Sequence, residues 1–157
     1  METLDQPSLL WGLLLIVLTV AIHATAVVML AFAGVRIRVR VETRDLKLWN
    51  LIVIIICIVG VFGLLLAVVH GIECGIWAAA YVWLGALDSP MDALLYSVDS
   101  MSTRGASGLG LQQHWRMMGA LEAVNGMLLF GVSTAYLFAM MQVYWSMLTA
   151  QATPGKG

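Results

Sequence analysis

Residues 90–110 read PMDALLYSVDSMSTRGASGLG, and this stretch decides the architecture. Its first part, Pro90 to Met101, is amphipathic and opens on a helix-start signal. Ser89 is suited to cap the helix and Pro90 to occupy its first position, where a missing N–H costs nothing. Twelve residues are too few to cross a bilayer, which needs about 20. The continuation, Ser102 to Gly110, carries three glycines in nine residues, which precludes a regular helix. A half-length helix running into a glycine-rich segment is the sequence shape of a re-entrant loop. Irregular backbone at membrane depth survives only where protein or a water-filled cavity surrounds it, so function is to be sought here first.

On either side lie long apolar runs. Leu9 to Val35 and Leu48 to Ile72 contain no Asp, Glu, Lys or Arg, and each is long enough to span. Ala123 to Ala150 is a third run, its helix starting near Trp115. Gly75 to Leu87 is apolar but, at 13 residues, reads as too short to cross. The acidic Glu2 and Asp5 before the first run, and the length of that run, argue against a cleaved signal peptide. Composition agrees: 61% of the 157 residues are hydrophobic and 11% charged, with mean hydropathy +0.92, where soluble domains carry about a quarter charged residues. Disorder is excluded by the same figures, and a formal net charge of -1 speaks against nucleic acid as a partner. Cys57 and Cys74 indicate neither a disulfide framework nor a metal cluster.

Five of the eight basic residues (Arg36, Arg38, Arg40, Arg44 and Lys47) fall between the first two runs. The positive-inside rule puts that connection in the cytoplasm, the N-terminus outside and the C-terminus in the cytoplasm. The alternation from Val35 to Val41 reads equally as an exposed strand-like edge or as amphipathic structure at the inner leaflet.

The segment from Ala93 onward, with Tyr96-Ser97, Thr103-Arg104-Gly105, Trp115-Arg116, Glu122-Ala123 and Gly126, resembles the pore domain of bacterial two-helix potassium channels, in the pore-loop ion-channel superfamily. There a pore helix reading Tyr-Phe-Ser-x-x-Thr-x-Thr-Thr leads into the filter Val-Gly-Tyr-Gly-Asp, and Trp-Arg and Glu-Ala-x-x-Gly open the inner helix. His70, Glu73, Trp77 and Tyr81 are similar to the outer region of one bacterial branch. The resemblance covers roughly Leu48 to Trp145. It implies an all-α integral membrane protein of three transmembrane helices with a re-entrant pore helix and a filter-like loop. Residues 1–47 form an added helix and basic loop, and residues 48–157 a pore domain. It further implies a homotetramer in the bacterial inner membrane, passing ions without catalysis or cofactor.

The filter positions are Thr103, Arg104, Gly105, Ala106, Ser107 and Gly108. Thr103 and Gly105 match the family, whereas Arg104 replaces valine, Ala106 tyrosine, Ser107 the second glycine and Gly108 the aspartate. Successive carbonyls replace potassium's hydration shell in the family, and without the tyrosine and second glycine potassium selectivity is not expected. An anion or a small neutral solute is the alternative permeant, and a non-conducting, channel-derived protein is a further one. Asp99, Ser100 and Glu122 stand as support behind the loop. Arg104 has two readings: a buried ion pair with Asp99, with Glu122 as competing partner, or a ring of four guanidinium groups at the pore entrance. Gly126 and Gly131 read either as an inner-helix gating hinge or as close-packing sites.

His70 and Glu73 have a spacing that can share a metal, but with no third ligand evident a hydrogen-bonded pair is favoured, and no metal is expected. His23, alone in the first run, reads as a helix-to-helix hydrogen bond ahead of a proton relay. A small membrane enzyme or metal-handling protein using His70, Glu73 and Asp99 is the rival of a different class.

Overall fold

The computed structural model of the chain describes residues 6–44, 46–105 and 108–152. Among them four α-helices run in order: α1 (Gln6–Glu42), α2 (Leu48–Trp83), α3 (Pro90–Met101) and α4 (Arg116–Ala152), with one 3-10 turn, Gln113–Trp115, before α4. No strand occurs among the described residues. Three helical segments, Pro7–Glu42, Leu48–Trp83 and Gln113–Ala150, are long and apolar enough to cross a membrane. At 1.5 Å per residue a 36-residue helix extends about 54 Å, well beyond a hydrocarbon core of about 30 Å. Each therefore has several turns to spare in the interfaces.

Two boundaries differ from the sequence expectation. The first helix does not stop at Val35 but continues to Glu42, so Arg36, Arg38 and Arg40 are helical and the connection shrinks to residues 43–47. Long basic side chains can lay their methylenes along apolar surface and extend the charge toward water, which is why charged residues at alternate positions did not end the helix. Arg38 Nε donates to Glu42 Oε1 at 2.7 Å, one turn on. Neither strand-like structure nor a basic loop occupies 36–42.

The second helix likewise does not stop at Ile72. It runs to Trp83, taking in most of the 75–87 stretch that read as a separate short segment. Its end is set by Gly85, whose φ is +68°. The Ala86 N–H donates to the Tyr81 carbonyl at 2.8 Å and the Gly85 N–H to the Val82 carbonyl at 3.1 Å. This pair of bonds satisfies the last carbonyls of a helix around a left-handed residue, a conformation that favours glycine.

Helix α3 has the expected bounds. Ser89 Oγ accepts from the Asp92 N–H at 3.3 Å, and Pro90 comes directly after the cap. The far end repeats the device that closes α2: Arg104 N–H donates to the Asp99 carbonyl at 3.0 Å and Thr103 N–H to the Ser100 carbonyl at 2.9 Å. Here the left-handed position is held by Thr103, with φ 58°.

The chain divides into two compact units. One comprises Met1–Ala24 and Val68–Gly131. Its core gathers Leu15 from α1, Trp77 and Tyr81 from α2, Ala93 and Met101 from α3, and Met118 and Leu129 from α4. The other comprises Thr25–Ala67 and Val132–Gly157 and packs Phe62, Met140 and Tyr144. The distribution of polarity inverts that of a water-soluble protein. His23, Glu73, Ser97, Glu122 and Asn125 are buried, while Val17, Phe32, Ile56 and Leu64 are each more than 60% exposed. Apolar surface on this scale has to meet lipid or other apolar protein.

Candidate functional site

Helix α3 and the residues after it are braced from three sides. From α2, the Tyr81 hydroxyl donates to Glu122 Oε2 at 2.7 Å. From α3, the Ser97 hydroxyl lies 2.5 Å from Glu122 Oε1 and 3.0 Å from the Cys74 carbonyl. Ser100 Oγ donates to the Gly119 carbonyl of α4 at 3.0 Å. Glu122 is fully buried, and donors from α2 and α3 converge on its carboxylate, so it ties three helices at one point. A buried carboxylate without such donors would be strongly unfavourable. The side chains of Glu73, Trp77 and Tyr81 are also fully buried, as the spacing of four residues keeps them on one face of α2.

The loop begins with an ion pair. Arg104 Nη2 lies 2.7 Å from Asp99 Oδ1, with Asp99 only 3% exposed and Arg104 64% exposed. Asp99 thus pairs with Arg104, while Glu122, the competing partner, is engaged by Tyr81 and Ser97 instead. The pair is enclosed only at its acidic end. Gly105 and Gly108 both have positive φ, 78° and 83°, a conformation that L side chains rarely adopt. Ala106 and Ser107 lie outside the described residues.

Compared with protein-family models, with curated proteins and with solved structures, the chain matches none.

Gly126 lies within continuous α4 and meets the main chain of Met101, where a Cβ would stand 2.7 Å from the Met101 Cα. The close approach of α4 to the end of α3 requires a residue without a side chain there. At Gly131 an added Cβ would meet nothing within 4 Å. Tyr96, outside the spanning helices, has its phenol pushed above its ordinary pKa, first by burial and then by the Glu122 carboxylate.

A second polar cluster joins residues that the sequence kept apart. His23 Nδ1 of α1 lies 3.0 Å from Glu73 Oε1, and His70 Nδ1 lies 3.2 Å from Glu73 Oε2. Glu73 thus has one imidazole at each oxygen. The helix-to-helix hydrogen bond expected of His23 is made to Glu73, and the third member that the His70–Glu73 pair lacked in sequence is His23. His23 and His70 stand at nearly equal sequence distances from the connection between α1 and α2. For two helices joined by a short turn, that equality is the signal that links them. Next to this cluster in the same unit, Asn125 Nδ2 donates to Thr19 Oγ1 at 2.8 Å.

Proposed function

We propose that the protein is a pore-loop membrane channel for passive ion transport, related to the potassium-channel superfamily but without its potassium selectivity. The observation that carries this reading is α3 together with the turn at its C-terminal end. A capped twelve-residue helix, too short to span, turns through Thr103 and two positive-φ glycines and stands in the chain between two helices long enough to cross a membrane. In this reading α3 is the pore helix and residues 103–108 form the conduction loop. Asp99, Ser100 and Glu122 hold the loop, and α4 is the inner helix. Four copies enclose the pathway, because one chain of this size has too few helices to surround a pore. Gly126 and Gly131 are the positions at which α4 would bend to gate it.

The concentration of Arg36, Arg38, Arg40, Arg44 and Lys47 at the α1–α2 corner supports a cytoplasmic location for that corner in a bacterial inner membrane, with the N-terminus outside. The loop then opens to the outer face.

A second reading is favoured by one observation. Arg104 is 64% exposed at the start of the loop, and a ring of such groups draws anions and repels cations. An anion pathway is therefore the principal alternative to a cation pathway. Flux into proteoliposomes tests both. Potassium, sodium, chloride and a neutral solute are offered in turn, and vesicles with protein are expected to pass at least one ion faster than protein-free vesicles. Equal rates for all four solutes in the two vesicle populations would overturn the proposal.

A further inference from the structure

The pore-loop reading makes no use of His23, His70 and Glu73. Among the described residues these three offer one ligand atom each, and the three atoms lie within 4.8 Å of one another. We propose that they form a binding site for a divalent transition cation of the zinc class, clamping α1 to α2.

The distances fit such an ion. Ligands at about 2.1 Å from a tetrahedral zinc stand about 3.4 Å from one another. His23 Nδ1 and His70 Nδ1 lie 3.0 Å and 3.2 Å from different Glu73 oxygens, and one ligand atom from each residue falls within 4.8 Å of the other two, so the three side chains would draw together around the metal. The donor set is selective. Two nitrogens and one carboxylate match zinc and its first-row neighbours, whereas calcium and magnesium demand a shell of oxygens and copper(I) prefers sulfur. Cys74 is the next residue after Glu73, yet its Sγ is directed to Met101 Sδ at 3.5 Å, which keeps sulfur out of the set.

Burial and charge point the same way. Glu73 is fully buried and His23 is 1% exposed, and a carboxylate so enclosed is costly without positive charge beside it. A dication supplies that charge whatever the protonation of the imidazoles. Ring orientation is fixed from the side: Phe130 of α4 stacks on His70 with centroids 4.4 Å apart and planes 18° from parallel. Three protein ligands leave a fourth position for water, as in sites where zinc keeps an open valence. His23 comes from α1, and His70 and Glu73 come from α2. The ion would therefore fasten the helix that the two-helix channel pattern lacks onto the helix it shares with that pattern.

The test uses the purified full chain without a histidine tag, in detergent, titrated with Co2+ and Zn2+. The expected result is uptake of one ion per chain. Co2+ should give the intense visible absorption of a tetrahedral site, displaced by Zn2+, and Zn2+ should raise the thermal midpoint. His23→Ala and Glu73→Gln are each expected to weaken binding by more than about a hundredfold, since losing even an outer-sphere partner of a ligand costs about 10–100-fold. His114→Ala, at an exposed histidine, should leave it unchanged. Wild-type protein that takes up no Co2+ at micromolar concentration overturns the proposal without any variant having to fold. So does binding that is as tight in Glu73→Gln as in the wild type. Either outcome leaves the channel reading standing, because ion flux is measured separately.

Discussion

Arg104 and Asp99 form an ion pair whose two ends lie in different surroundings, with 2.7 Å between Nη2 and Oδ1 but 64% exposure on one side and 3% on the other. Removing either partner therefore has unequal consequences. Arg104→Gln leaves the enclosed carboxylate without its guanidinium, whereas Asp99→Asn leaves a cation on a side chain that is already largely exposed. The cost of a fully buried pair, about 3–5 kcal/mol, does not apply at the exposed end. Unfolding in mixed micelles is expected to show a loss of about 2–3 kcal/mol for Arg104→Gln and about 1–2 kcal/mol for Asp99→Asn, in the range of hydrogen bonds to charged groups. Equal losses would contradict the asymmetry.

Glu122 receives its donors from two helices, and those donors act on one carboxylate. Tyr81→Phe and Ser97→Ala each remove a hydrogen bond to the buried Glu122 carboxyl group and are expected to cost about 1–3 kcal/mol, as leaving a buried acceptor unsatisfied does. The double variant should depart from additivity by about 0.5 kcal/mol or more, since partners of a shared group couple. A double-mutant cycle with no interaction energy would mean that the carboxylate does not tie α2 to α3.

The two glycines of α4 should separate cleanly. Gly126→Ala places a methyl group against the Met101 main chain and is expected to destabilise by about 1–3 kcal/mol, as overpacking does. Gly131→Ala has open space and is expected to be neutral or to stabilise by up to about 1 kcal/mol through helix propensity. Thermal unfolding of both variants in the same detergent checks the order. A Gly131→Ala variant that is stable but alters flux would support the proposed bend of α4 at Gly131.

Thr103 occupies the left-handed position at the end of α3, with φ 58°. A residue carrying a Cβ is strained there by about 1–2 kcal/mol, a cost that glycine avoids. Thr103→Gly is therefore expected to raise the unfolding midpoint, offset in part by the greater freedom of glycine in the unfolded chain. A lowered midpoint would show that the threonine side chain contributes more than its backbone strain costs.

Much of the fold is legible in the sequence because the bilayer imposes simple lengths. Three spans come from charge-free runs, and the bounds of α3 from Ser89, Pro90 and the glycines after Met101. The end of α1 was hidden because Arg36, Arg38 and Arg40 alternate with apolar residues, a pattern that also suits a strand. The end of α2 is hidden because Glu73 interrupts the apolar run, and the one sequence sign that His23 and His70 flank its carboxylate is their similar distance from the α1–α2 connection. Of the candidate site, the Asp99–Arg104 pair is legible as two nearby opposite charges. The attachment of Glu122 to Tyr81 and Ser97 is not, since hydroxyls 41 and 25 residues away in sequence give no local sign of a shared partner.

In the proposed channel the segment after α3 lines the conducting pathway. Planar-bilayer recording of Thr103→Cys, in a Cys57→Ser background that removes the exposed thiol, tests it most directly. A charged, membrane-impermeant thiol reagent added from the loop side is expected to block or sharply alter the current, while the same reagent leaves the Cys57→Ser parent unaffected. Absence of current from either protein, or a current indifferent to modification at position 103, would contradict it.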